Sequence, residues 1–129
     1  MNDDLLENYR KAYDNRVGFG KRPALVLVDF VEAYFDPGCP LYAGVEPVLE
    51  AALEIRNAAR RKNVPTVLTN VVYQSSGVDG GRFFEKAPPL GCFVSGNPMG
   101  AWPKGLTPYP DELVVSKQYP SAFFGTSLA

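Results

Sequence analysis

Histidine is absent from this chain of 129 residues, and cysteine occurs only twice. Without histidine the chain cannot build a Ser-His-Asp triad, a Cys-His dyad or an HExxH zinc site from its own residues. Cys39 and Cys92 lie in separate Gly/Pro-rich loops, and two distant thiols are a poor ligand set for zinc. Chemistry must therefore come from carboxylate, lysine, thiol, tyrosine or backbone groups, and we expect neither a metal nor another cofactor.

A charge excess of either sign is also missing, since the formal net charge is −1. Acids and bases are mixed along the chain without a basic stripe, which argues against nucleic acid as a partner. No apolar run approaches the ~20 residues that a membrane helix needs, so we expect no membrane partner. The first residues lack the basic and apolar regions of a secretory leader. We therefore expect a cytoplasmic protein with reduced thiols.

Hydrophobic patterns divide the chain into alternating helices and strands, and its length indicates one domain. A short outer helix is predicted at the start, capped by Asn2 or Asp3, and strand one is continuously apolar, which predicts cover on both faces. A strand, a helix and a strand within about 50 residues indicate a βαβ unit, hence a parallel sheet and the α/β class. The predicted helices cover residues 1–13 and 45–62 and a third opens near 123–129, and the predicted strands cover residues 24–29, 65–73 and 113–117.

Residues 74–112 form a long stretch that is rich in glycine and proline. A loop of this length inside a compact domain is usually functional or mobile. Its aromatic side chains argue against plain disorder. We expect a lid or wall over a site, with one short helical turn.

Polar residues stand near the carboxyl ends of the three predicted strands. Asp29 ends strand one, Asn70 lies near the end of strand two, and Lys117 ends strand three. The carboxyl ends of parallel strands share one edge of a sheet, where ligands bind. An acid there can act as a general base, and a nearby cation keeps it ionised. The alternative is that Asp29 is a helix cap or solvated strand end and that Lys117 is only solvated.

The two cysteines are weak candidates for a nucleophile. Catalytic thiols favour a helix N-terminus or a cationic neighbour. Cys39 sits in the turn DPGCP, and Cys92 lies within the lid in LGCFV. A packing role is favoured for both.

Three stretches, in this order, resemble the isochorismatase-like (cysteine hydrolase) family, and within it the branch of N-carbamoylsarcosine and maleamate amidohydrolases. They are RPALVLVDFVEAYFDPGCPLY, NVPTVLTNVVY and ELVVSKQYPSAFFGTSL. Each alone is a modest signal, but together they cover roughly residues 16–129 in the family order. The resemblance implies a three-layer α/β/α fold with a six-stranded parallel, Rossmann-like sheet.

The same resemblance implies roles for individual residues. Asp29 would be the general base and Lys117 the second member of a triad whose third member is a cysteine thiolate. Four residues match positions that line the family pocket, namely Phe30, Phe35, Asn70 and Phe123. The implied reaction hydrolyses a small carboxamide or ureido C–N bond and releases ammonia, through an acyl-enzyme on the cysteine.

The chain departs from the family in two respects. The family cysteine follows a fourth strand in a Gly-Val-x-Thr-x-x-Cys stretch, which does not occur in these 129 residues. We therefore expect residues 1–129 to be the N-terminal portion of one hydrolase domain, completed by its own C-terminal half or by another subunit, and to belong to a homo-oligomer. The histidines of the nicotinamidase metal site are also missing after strand two, so we expect no such metal.

In the family, strand one pairs with a fourth strand. Without that partner an apolar strand presents a bare edge, so we expect residues 1–129 alone not to form a stable monomer. Two other functions remain open at this point. One is an isochorismatase proper, which hydrolyses a vinyl ether without a required cysteine. The other is a non-catalytic half-domain that completes a partner's sheet.

Overall fold

The structure, a computed structural model, describes residues 3–129. Its three strands form one parallel sheet in the order β1-β2-β3, which confirms the predicted α/β class and βαβ unit. Met1 and Asn2, with the predicted cap at Asn2, lie outside the described residues. The elements are α1 (Asp3–Tyr13), β1 (Leu25–Val28), α2 (Glu46–Arg61), β2 (Thr66–Val71), α3 (Gly81–Lys86) and β3 (Leu113–Lys117).

Helix α2 covers one face of β1 and β2. Its apolar stripe meets Leu27 and Leu68 in a core that also contains Ala52 and Leu106. The helix ends as its sequence predicts: Asn63, just after it, has a φ of 54°, in the left-handed region that asparagine tolerates. This packing fixes the crossover between the first two strands and therefore which of their ends share an edge.

The opposite face of β1 is open within the part of the chain that the structure describes. Leu27 is 5% exposed, but Val26 and Val28, which point to the other face, are 42% and 57% exposed. The prediction of cover on both faces is therefore wrong for residues 3–129. Alternation of side chains along a strand means that helix α2 can shield only every second residue.

The lid, residues 74–112, is more ordered than the sequence predicts. It contains α3 and short 3-10 turns at Val78–Gly80, Pro88–Phe93 and Pro98–Gly100. Around Tyr73, Leu90 and Phe93 it packs a second core, which extends to the segment after β1 at Val31 and Ala33. Buried side chains thus hold this segment to the carboxyl edge of the sheet.

A buried ion pair anchors the end of the lid to α2. Arg56 Nε donates to Glu112 Oε1 at 2.9 Å, and its Nη2 lies 2.5 Å from Glu112 Oε2. Both side chains are only 2% exposed. Arg56 also donates to the carbonyl oxygens of Gly105 and Thr107 and stacks on the Tyr109 ring at 4.3 Å. With four of its five N–H donors bonded, the charged group can be buried without a large penalty.

The two ends of the described chain differ from prediction. Helix α1 forms as predicted but buries no residue, so it does not pack on the rest of residues 3–129. The helix predicted near residues 123–129 is not formed, and residues 118–129 consist of turns and bends. A helix this short needs tertiary contacts to be stable, and Phe123 and Phe124 are 67% and 62% exposed. Within residues 3–129 no helix has both the length and the apolar character to cross a membrane.

Candidate active site

An acid and an amine from the two outer strands meet at the carboxyl edge of the sheet. Lys117 Nζ lies 2.7 Å from Asp29 Oδ2. Strand β2 runs between the two strands that carry them, and the lysine side chain is long enough to reach across it. The structure therefore brings Asp29 and Lys117 together, as the sequence predicts.

The backbone at Asp29 turns its carboxylate towards the lysine. Asp29 has a φ of 59°, a left-handed conformation that non-glycine residues adopt rarely. Its N–H donates to both the backbone oxygen and Oγ1 of Thr69, each at 3.1 Å. Thr69 Oγ1 in turn donates to Asp29 Oδ1 at 2.7 Å. One fully buried threonine thus holds both the backbone and the carboxylate of Asp29.

Sequence reasoning missed Thr69. A signal for it was present in the pairing of the first two strands, because Thr69 lies opposite Val28, the last residue of β1, in the parallel register. A hydroxyl at this register position can bond to the residue that follows the neighbouring strand. The sequence does not show which of the polar residues of this strand meets Asp29, because that depends on the register.

Lys117 is almost completely buried, with a side-chain exposure of 3%. Besides contacting Asp29, its Nζ donates to the carbonyl oxygen of Pro120 at 2.7 Å. A buried ammonium requires partners of this kind, because desolvation of an unpaired charge costs several kcal/mol, about 3 to 5 when a buried pair is broken. The Asp29 side chain is 22% exposed, so it has an open side that a small molecule can approach.

A cavity of about 250 Å³ adjoins that open side of Asp29. Phe30 and Phe35 stack in its wall with ring centroids 6.3 Å apart and planes inclined by 14°. These are two of the four pocket residues that the family resemblance implies. The lining includes Val28, Asp29, Phe30, Tyr34, Phe35 and Val45. A carboxylate at the end of a largely apolar cavity favours binding of a small, weakly polar group beside it.

Tyr34 is a further wall residue that sequence reasoning did not single out. Burial raises the pKa of its hydroxyl, and the negative charge of Asp29 and the Cys39 thiol raise it further. The phenol therefore stays protonated and keeps its O–H available as a hydrogen-bond donor. Its position directly before Phe35 was the available signal, but of these two aromatic residues only Phe35 was selected.

The other two predicted pocket residues lie elsewhere among the described residues. Asn70 is buried, and its Oδ1 accepts a hydrogen bond from Ser116 Oγ at 2.7 Å. It alternates with Thr69 along β2 and so points to the opposite face. Phe123 is mostly exposed. Neither belongs to the lining of the cavity at Asp29, so their part in binding stays a prediction.

The two cysteines contact each other. Cys39 Sγ lies 3.5 Å from Cys92 Sγ, and both belong to the core beneath the lid. Burial raises the pKa of the Cys92 thiol, and its hydrogen bond with Cys39 raises it further. Neither lines the cavity at Asp29. Within residues 3–129, no cluster of three or more cysteine, aspartate or glutamate side chains is arranged to hold a metal ion.

Comparison with characterised sequences gives two close relatives. Over 125 residues the chain is 44% identical to maleamate amidohydrolase of Pseudomonas putida, and the match covers 95% of this chain and 59% of that protein. Over 124 residues it is 32% identical to N-carbamoylsarcosine amidase of an Arthrobacter species, covering 92% and 47% of the two proteins. The chain therefore spans about half the length of the relatives it matches.

Solved structures share the fold. A cysteine hydrolase from Pseudomonas syringae superposes with a TM-score of 0.76 at 24% identity, covering 83% of this chain and 51% of that one. An N-carbamoylsarcosine amidase from Thermoplasma acidophilum gives a TM-score of 0.64 at 23% identity, covering 83% and 58%. The family model for the isochorismatase domain matches residues 23–129, a span that includes all three strands and both Asp29 and Lys117. The chain belongs to the isochorismatase domain family.

Proposed function

We propose that this chain supplies the acid and the amine of an amidohydrolase site, which cleaves a small carboxamide or ureido C–N bond to give ammonia and an acid. The observation that carries the proposal is the 2.7 Å contact between Lys117 Nζ and Asp29 Oδ2 beside an apolar cavity. An ion pair of this kind is available for proton transfer because its carboxylate is partly open to the cavity. The relatives named as amidohydrolases support the reaction class.

Asp29 is the general base in this proposal. Its carboxylate accepts the proton of an attacking thiol, and the resulting thiolate adds to the amide carbonyl carbon. Asp29 then returns the proton to the departing nitrogen, so that ammonia leaves and an acyl thioester remains. In the second half, Asp29 accepts a proton from the water that hydrolyses the thioester. The acid is released, and the departing thiolate takes that proton back from Asp29, so that both groups return to their starting state.

Lys117 and Thr69 hold the Asp29 carboxylate in place. The Lys117 ammonium is buried against it, with Nζ 2.7 Å from Asp29 Oδ2. The Thr69 hydroxyl donates to the other carboxylate oxygen, Asp29 Oδ1. Together the two contacts keep the carboxylate in one orientation, which matters because proton transfer requires hydrogen-bonding distance to the thiol.

The thiol in this proposal comes from outside these 129 residues. Cys39 and Cys92 are hydrogen-bonded to each other in a core and do not line the cavity. The higher pKa of Cys92 also leaves little thiolate at neutral pH. We propose accordingly that residues 1–129 are the N-terminal portion of a hydrolase domain, with residues 74–112 as its lid.

We propose that this domain is completed by its own C-terminal half or by another subunit, within a homo-oligomer. The support is that β1 is an edge strand of the described sheet and that Val26 and Val28 are exposed on its uncovered face. An unpaired strand edge is a template for pairing with another segment. A segment that covers β1 would also close the side of the cavity formed by Val28.

The test is an ammonia-release assay on the protein produced from its uninterrupted gene, with maleamate and N-carbamoylsarcosine as the first compounds. Asp29→Asn should lower kcat by about 10²- to 10⁴-fold, the usual contribution of a general base. Asp14→Asn is the matched control, since Asp14 is an exposed acid that does not line the cavity. Its rate should equal that of the unaltered protein.

Two results would overturn the proposal. One is an Asp29→Asn protein that is folded and still releases ammonia at the original rate. The other is a gene in which no cysteine beyond residue 129 is needed for ammonia release. A protein that binds neither compound and releases no ammonia from any small amide would favour the half-domain role instead.

A further inference from the structure

The two thiols of the chain come from segments that are remote in sequence. Cys39 and Cys92 are 53 residues apart, yet their sulfur atoms lie 3.5 Å from each other. Cys39 ends a tight turn in which Gly38 N–H donates to Asp36 Oδ1 and the Cys39 N–H donates to the Asp36 carbonyl oxygen. Cys92 lies in the 3-10 turn of Pro88–Phe93 within the lid. The contact is thus made by tertiary packing.

The surroundings of the pair hold both thiols in place. Cys39 is 7% exposed and Cys92 is partly exposed, and both pack against the core that includes Tyr73 and Phe93. A disulfide has an S–S length of about 2.05 Å, so the sulfur atoms must approach by about 1.5 Å.

We propose that Cys39 and Cys92 form a reversible disulfide that ties the lid to the segment following β1, with a low-molecular-weight disulfide such as oxidised glutathione as the oxidant. This modification site is separate from the proposed hydrolytic chemistry and does not depend on it. The bond would join Cys92 in the lid to the segment that carries Tyr34 and Phe35, two wall residues of the cavity at Asp29.

The chemistry proceeds by two thiol–disulfide exchanges. Cys92, the more exposed of the pair, reacts first through the small fraction of its thiol that is ionised. This thiolate attacks one sulfur of oxidised glutathione, forms a mixed disulfide and expels one glutathione thiolate. The Cys39 thiolate then attacks Cys92 Sγ, forms the Cys39–Cys92 bond and expels the second glutathione. Two electrons pass from the cysteine pair to the glutathione disulfide, and the two thiol protons end on the two glutathione molecules.

A disulfide favoured by the native fold must be easier to form in the folded chain than in the unfolded chain. The same free energy that a disulfide adds to stability appears as a larger equilibrium constant for its formation in the native state. For a disulfide of ordinary stabilising effect this ratio is about 30- to 1,000-fold. A ratio well above one indicates two cysteines that the native fold positions for a disulfide, and a ratio near one indicates that the fold does not favour the bond.

The experiment equilibrates the protein from its uninterrupted gene in buffers of reduced and oxidised glutathione, with and without urea, and maps the linked peptides by mass spectrometry. We expect the Cys39 peptide joined to the Cys92 peptide, with an equilibrium constant about 30- to 1,000-fold larger in the native protein. Oxidation should raise Tm by about 5–15 °C. Lid peptides should also be cleaved more slowly by protease when the pair is oxidised.

Single variants supply the matched controls. Cys39→Ser should stop at the mixed disulfide on Cys92, because the resolving thiol is missing, and its Tm should not rise on oxidation. Cys92→Ser should react more slowly, since Cys39 is buried. Equal equilibrium constants with and without urea, a lower Tm after oxidation, or recovery of only mixed or intermolecular disulfides would each overturn the proposal.

Discussion

Loss of the charge at Asp29 tests whether the ion pair with Lys117 exists as described. Asparagine is nearly isosteric with aspartate and, like it, tolerates the left-handed backbone at φ 59° better than most residues. Asp29→Asn therefore removes charge and leaves the backbone conformation available. The partner change, Lys117→Met, removes the ammonium and keeps an unbranched side chain of similar length.

The expected cost follows from the burial of the two side chains. Breaking a fully buried pair from one side costs about 3–5 kcal/mol. Since the Asp29 side chain is 22% exposed and that of Lys117 only 3%, the remaining lysine suffers more than the remaining acid. We expect a loss of about 2–3 kcal/mol for Asp29→Asn and about 1–2 kcal/mol for Lys117→Met.

The double variant, Asp29→Asn with Lys117→Met, separates the interaction energy of the pair from the effects of the single substitutions. With both charges removed, no buried charge is left without a partner, so the combined loss should be only about 1–2 kcal/mol. Additive effects would predict about 3–5 kcal/mol, so the coupling energy is about 2–3 kcal/mol. A coupling of this size requires direct contact between the two side chains.

Urea unfolding followed by circular dichroism at pH 7 measures these free energies on the protein from the uninterrupted gene. Asp14→Asn serves as the control for loss of an exposed acid and should change the free energy of unfolding by less than about 0.5 kcal/mol. A coupling energy within about 0.5 kcal/mol of zero would refute the contact between Asp29 and Lys117. The same data give the folded fraction of Asp29→Asn, which the ammonia assay requires.

Two further predictions concern the lid. Burial alone would raise the pKa of Glu112, but its bonds to Arg56 and to a backbone N–H lower it below the ordinary 4.5. The Glu112 contribution to stability should therefore be complete above about pH 4.5 and fall as pH drops through the folded-state pKa. Glu112→Gln should remove this part of the pH dependence of the unfolding free energy, measured by urea titrations at several pH values. An unchanged pH dependence would contradict the prediction. Gly80→Ala would place a Cβ 2.4 Å from Phe84 Cβ, so it should cost about 1–3 kcal/mol and speed proteolysis of the lid. Gly91→Ala, with no atom within 4 Å, should be cleaved more slowly than Gly80→Ala, and equal rates would refute the clash.

Several features of the fold could be predicted because they depend on local patterns. The Val/Leu run ending at Asp29 and the apolar stripe of α2 identify β1 and the crossover helix without knowledge of other contacts. The left-handed Asn63 and the following Pro65 set the end of that helix. The absence of a helix at residues 123–129 could not be predicted in the same way, because a short segment is helical only if tertiary contacts support it.

One site residue, Thr69, and one structural residue, Arg56, escaped prediction for a different reason. Thr69 reads as part of a buried strand, and its hydrogen bonds to Asp29 depend on the register between β1 and β2. Arg56 reads as a solvated residue on a helix, yet it is buried because Glu112 arrives from the end of the lid. In both cases the partner is about 40 or more residues away, so the residues next to each one in sequence do not indicate the contact.

The sequence alone determined the succession of the three strands and the crossover helix, the parallel arrangement of the strands, and the arrival of an acid and an amine at one edge of the sheet. These follow from hydrophobic period and from the right-handed crossover, both of which are local or topological rules. Tertiary structure alone decided the left-handed turn at Asp29, its hold by Thr69 and the meeting of Cys39 with Cys92. Those features depend on angstrom-scale distances between segments that are remote in sequence. Side-chain packing sets these distances, and the spacing of residues in the sequence does not.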